Sequence, residues 1–101
     1  MTRAEVLAWL ESRRPAPPPA LARHLAACVT DGPEALPGHL AATGCELLRR
    51  VVGRPTAGRE LALDLLAADA FVTYAFEAQA ETDPVGLGAL AGRIEREARG
   101  T

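Results

Sequence analysis

Leu61-Ala-Leu-Asp-Leu-Leu-Ala-Ala-Asp-Ala-Phe-Val-Thr-Tyr-Ala-Phe76 is the stretch on which the reading of the fold turns. Leu61, Leu65, Ala68, Val72 and Phe76 recur at intervals of three and four residues, the period of an α-helix. Leu63, Leu66, Phe71, Tyr74 and Ala75 put apolar groups on most of the remaining circumference. A helix that is apolar nearly all round is either buried at the centre of a bundle or shared between subunits. The pattern predicts a long helix over about residues 57–80, with Thr56 as its N-cap. Leu61, Leu65, Phe71, Val72, Tyr74 and Phe76 are its candidate core and interface residues.

The flanking segments read as shorter amphipathic helices. Upstream, Thr2 and Glu5 form a Thr-x-x-Glu capping box, which starts a first helix over about Arg3 to Arg13. Its apolar face is Val6, Leu7 and Leu10, with Trp9 beside it. The proline run Pro15-Ala-Pro-Pro-Pro19 stops this helix and leads into a second, over about Pro18 to Thr30, striped by Leu21, Leu25 and Cys28/Val29. Asp31-Gly-Pro-Glu34 combines a turn signal with a capping box. The third helix carries Leu36, Leu40, Gly44, Leu47 and Val51 and runs to about Val52. Pro37 either kinks its first turn or marks its true start. Gly44, in mid-stripe, lets another helix approach closely, and Gly53 suits a C-terminal cap. Thr82 or Asp83 caps a last helix that opens on Pro84, with Leu87, Leu90, Ala91 and Ile94 inward and Arg93, Glu95, Arg96, Glu97 and Arg99 outward.

No segment alternates apolar and polar residues with β-branched enrichment, so strands are not expected. The fold class is all-α: a compact bundle of about five helices around a long central one. A chain of 101 residues fits one domain, spanning residues 1–101. A domain of this size buries only about two-thirds of its unfolded surface. A homo-oligomer, most simply a dimer, would complete its core, and another protein partner would serve the same end.

Composition narrows the function classes. Net charge is −2, too balanced to suggest nucleic acid or an anionic membrane as a partner. Alanine occurs 21 times, all 11 cations are arginine, and lysine and asparagine are absent. That skew fits the codon usage of a high-GC bacterial genome, so the arginines alone do not indicate phosphate recognition. The first fourteen residues are charged and amphipathic, unlike a signal peptide, and no apolar run approaches a membrane span. Two cysteines make no disulfide framework, and a cytoplasmic location with reduced thiols is expected.

Three clusters carry candidate chemistry. His24 and Cys28 lie four apart on one helical face; with His39 and Cys45 they would supply a tetrahedral Cys2His2 zinc set. The His24-x-x-x-Cys28 element resembles that of zinc-binding anti-sigma domains, over five residues and without the Cys-x-x-Cys pairing those domains carry. Against a metal, Cys28 falls on an apolar stripe, and His39 and Cys45 diverge by about 120° on one helix. The second cluster is acidic: Glu60 with Asp64, Glu77 with Glu81, and Asp69 between. The Glu-x-x-His elements of dimetal bundles are absent. Asp69, among alanines and Phe71, is expected to be partly buried with an arginine or backbone donor as partner.

The third cluster is cationic. Arg49, Arg50, Arg54 and Arg59 fall within eleven residues ending near a helix N-terminus, where free N–H groups favour an anion. Apolar periodicity runs through Leu40–Gly44, which leaves no helix-turn-helix turn, and aromatic residues for base stacking are missing nearby. Ser12, the only serine, sits at a helix end with no histidine near it in sequence, and it lies in Glu11-Ser12-Arg13 rather than a carrier protein's Asp-Ser-Leu motif. Gly86 and Gly88 lie within a helix rather than after a strand, so they form no dinucleotide loop. The expectation is a non-enzymatic helical module for self-association or protein interaction, without a cofactor. The alternative is a metal- or nucleic-acid-binding regulator.

Overall fold

The computed structural model describes residues 1–53 and 58–99. They form α1 (Arg3–Glu11), α2 (Pro19–Cys28), α3 (Leu36–Val52), α4 (Arg59–Thr82) and α5 (Leu87–Ala98), with a 3-10 turn at Pro84–Gly86 before α5. The architecture is an all-α bundle, without a strand among the described residues. Its radius of gyration is 13.2 Å, close to the ~13 Å of a compact domain of about 100 residues. No described helix is long and apolar enough to cross a membrane.

Local chemistry explains most boundaries. Thr2 and Glu5 cap α1 reciprocally, each side chain accepting from the other's backbone N–H. The helix stops at Glu11 rather than Arg13 because the next two N–H groups, of Ser12 and Arg13, bond three residues back in a tightened turn. α2 opens on Pro19, whose missing N–H costs nothing in a first turn. It ends at Cys28, short of Thr30. There Val29 turns extended and buries its side chain, while the Arg3 guanidinium takes the carbonyls of Ala26 and Val29.

The Asp31–Glu34 capping box is not formed. Asp31 Oδ1 accepts instead from the Arg3 N–H, at 2.6 Å, and Glu34 reaches to α5. α3 starts at Leu36, with Pro37 in its first turn and Ala35 as a cap lacking any side-chain hydrogen bond. Thr56 lies outside the described residues. α4 begins at Arg59, after Gly58 with φ 158°, a backbone conformation that suits glycine. Asp83 accepts from the Val85 N–H and caps the 3-10 turn that leads into α5.

α4 packs against α2, α3, α5 and the 3-10 turn, and so occupies the centre. Its buried face is Asp64, Ala67, Ala68, Phe71, Ala75 and Ala78. This face is turned away from the Leu61–Leu65–Ala68–Val72–Phe76 stripe and shares only Ala68 with it. Small residues won the inner face because they admit α3 at short range. At the crossing, a Cβ on Gly44 would stand 3.1 Å from Phe71 Cβ and 3.2 Å from the Ala68 carbonyl oxygen. Phe71, Leu40, Leu47, Val6 and Cys45 are the largest side chains fully removed from water. α1 docks through Trp9, edge-on to Tyr74 with centroids 5.9 Å apart, and through Arg13, which lies over Trp9 and donates to Glu81 at 2.7 Å.

Candidate functional site

Of the six large residues expected at the core or interface, only Phe71 is completely buried. Leu61, Val72, Tyr74 and Phe76 are half-buried, and Leu65 is 51% exposed. Leu66 beside it is 54% exposed. Together with Ala62 these two leucines form an apolar patch on the outer side of α4. Arg59 and Asp69 share that side and bracket the patch, both exposed. Neither has a side-chain partner among the described residues. Asp69 is therefore solvated, contrary to expectation, and the buried carboxylate is Asp64, 5% exposed. The phase of the alanines contained that signal: Asp64 is in register with Ala67, Ala68, Phe71 and Ala75.

The His24, Cys28, His39 and Cys45 set does not converge. Among the described residues, no group of three His, Cys, Asp or Glu side chains is placed to hold a metal ion. His24, on α2, donates through Nε2 to Asp64 Oδ1 at 2.6 Å and ties α2 to α4. His39, near the start of α3, is 6% exposed; its Nε2 is buried without a hydrogen-bond partner. Its ring lies where a Cβ on Gly32 would be, 2.7 Å from Nδ1. The two histidines thus have different neighbours, Asp64 for His24 and Gly32 for His39.

Cys28 stands one turn beyond His24. Burial pushes its thiol up, and the Asp64 carboxylate adds to the shift against a smaller opposing pull from Arg50. Burial also raises Cys45, with Glu97 adding to the effect. Cys45 Sγ approaches only the Ile94 carbonyl, at 3.9 Å. Both cysteines are free, and both are held as thiols rather than thiolates. Ser12 donates its hydroxyl to the Trp9 carbonyl. No serine or cysteine hydrogen-bonds to a histidine among the described residues.

The arginine cluster also separates. Arg49 donates to the Glu97 carbonyl at 3.1 Å and so ties α3 to the C-terminal turn of α5. Arg50 is exposed near the end of α3, Arg59 opens α4, and Arg54 lies outside the described residues. Arg93, expected to face water, makes the main ion-pair node instead. It donates to Glu34 Oε2 and to Glu97 Oε2, each at 2.7 Å. The guanidinium holds the Glu34 carboxyl below the usual carboxylate range. Gly38 leaves room for this pair, since a Cβ there would lie 2.9 Å from Arg93 Nη1. Among known proteins, no family model, curated protein or solved structure matches this chain.

Proposed function

We propose that this chain is a non-enzymatic helical interaction module that forms a homodimer through the outer side of α4. The observation that carries the reading is the pair Leu65 and Leu66, each more than half exposed on a regular helix whose opposite face is fully used. Charge placement favours a second copy as the occupant. In a closed two-fold pair the same patch meets itself. With α4 helices antiparallel and crossing near residue 64, Arg59 of each copy comes opposite Asp69 of the other, while Ala62 meets Leu66. Neither charge has a side-chain partner among the described residues, and pairing them fixes the register. The module works in the cytoplasm in this reading, where Cys28 and Cys45 remain reduced.

Light scattering on the eluting protein at micromolar concentration tests the proposal. The expected mass is twice the 10.6 kDa of the chain. Leu66→Arg should restore the single-chain mass with an unchanged helical circular dichroism spectrum. Arg59→Asp should weaken the dimer, and adding Asp69→Arg should restore it. A wild-type chain that elutes as a monomer throughout this range overturns the proposal.

A further inference from the structure

α1, the proline connector and α2 line a cleft of about 450 Å³ that reaches Tyr74 of α4. Its existence follows from the sequence. Ala22 and Ala26, one turn apart on α2, offer no bulk opposite Leu7 and Leu10 of α1, so the two helices leave a gap. Leu25 and the Tyr74 ring close the floor. Ala16 and Pro17 form one wall, and the neighbouring prolines fix that wall before anything binds, which lowers the ordering cost of binding. The volume falls within the range of about 300–1,000 Å³ typical of small-molecule sites.

The mouth is cationic. Arg13, Arg14 and Arg23 line it, against the single carboxylate of Glu11. Arg13 is already paired with Glu81, although its Nε is buried with no acceptor. The Arg14 guanidinium bonds the backbone carbonyls of Glu11 and Arg13, and among the described residues no carboxylate pairs with it. Arg23 is exposed and has no partner among the described residues. Arg14 and Arg23 therefore stand at the edge of an apolar slot with no ion pair among the described residues, and Glu11 is the one carboxylate in the lining. Arginine's planar donor fork fits a carboxylate with two parallel hydrogen bonds.

We infer that this cleft binds a small amphipathic monocarboxylate, its apolar tail on Leu7, Leu10, Leu25 and Tyr74 and its head between Arg14 and Arg23. A lone apolar groove would accept any greasy body; the excess of arginine over the single Glu11 carboxylate at the mouth selects the anion. The chain carries its own reporter, because the only tryptophan, Trp9, packs edge-on against the Tyr74 ring that forms the floor.

The test is a titration of the full chain with straight-chain carboxylates below their micelle concentration. Binding is followed by Trp9 emission and by backbone amide shifts of Leu7, Leu10, Ala22 and Ala26. Decanoate should saturate, and each added methylene from hexanoate to decanoate should tighten binding by up to about fourfold. Decylamine should bind at least about tenfold more weakly than decanoate, as should decanoate to Arg14→Gln/Arg23→Gln. Ala22→Phe, which fills the cleft, should abolish the response. Absence of saturable changes in both emission and amide shifts overturns the inference. So does an amine that binds as well as the acid, or a double arginine variant that binds decanoate like the wild type. The arginine variant lies at the exposed mouth and leaves the core intact, so the test does not depend on Ala22→Phe folding.

Discussion

His24 and His39 are chemically identical side chains in opposite circumstances. His24 donates to Asp64 across the α2–α4 seam, and that carboxylate is almost wholly out of water. His39 is buried with its Nε2 unsatisfied. A buried polar atom without a partner costs about 1–3 kcal/mol, whereas an apolar replacement of similar shape is neutral or stabilising. His39→Leu should therefore raise the urea midpoint, by the equivalent of about 1 kcal/mol, with an unchanged slope. His24→Leu should lower it by about 2 kcal/mol, since it strips a charge-assisted hydrogen bond from a buried carboxylate. Urea unfolding of both variants checks the pair, and equal signs would refute the distinction. The sequence carried only part of this contrast. His24 sits at helical spacing from Cys28, which suggested a ligand pair, but its true partner lies forty residues away on another helix. Local spacing holds no information on such a contact.

At the scale of elements, the α3–α4 crossing sets the shape of the bundle, and Gly44 sets the crossing. The sequence reading placed a close helix approach there from a glycine in mid-stripe, and the geometry agrees. A methyl group at this position meets Phe71 and Val72 side chains and the Ala68 carbonyl, all at 3.1–3.2 Å. Two effects compete in Gly44→Ala. Alanine gains about 0.5–1 kcal/mol of helix propensity over glycine, while overpacking costs about 1–3 kcal/mol. The carbonyl belongs to a regular helix and cannot swing aside, so overpacking prevails. Gly44→Ala should lower stability by about 1 kcal/mol, and Gly44→Val by more. Thermal denaturation reads both, and a stabilised alanine variant would show that α3 can shift. Helix order, helix type and the caps at Thr2, Gly53 and Asp83 were legible because propensity, period and breakers are local properties. The phase of α4 was not. Periodicity weighted the large side chains and left core and interface undivided among Leu61, Leu65, Phe71, Val72, Tyr74 and Phe76. Close packing instead reserved the inner face for Ala67, Ala68, Ala75 and Ala78 around one phenylalanine. Volume complementarity with α3 decides that choice, and it cannot be read from α4 alone.

For the molecule as a whole, long-range polar contacts distribute the electrostatic load between two pH limits. On the acid side, Arg93 holds Glu34 below the ordinary carboxylate range, and Arg13 does the same for Glu81. A carboxyl whose pKa is depressed on folding stabilises the protein above its unfolded value of about 4. That contribution disappears as the pH falls through the folded value, because the unfolded chain takes up the proton first. The alkaline side has the opposite sign. Burial raises Cys28, Cys45 and Tyr74 in the folded chain. The unfolded chain loses those protons at lower pH, so stability declines once the pH passes the ordinary thiol value of about 8.5. The melting temperature should therefore trace a dome with a plateau between these limits. Glu34→Gln separates the contributions. It removes the titrating group that pins the α2–α3 loop to α5, so its melting temperature should be lower at neutral pH. Its fall on acidification should be shallower than that of the wild type, with the residual slope left to the other partnered carboxylates, Glu81 and Glu5 among them. The alkaline arm should be unchanged. Acid slopes that coincide for the two proteins would mean that the Arg93–Glu34 bridge adds nothing to stability in solution.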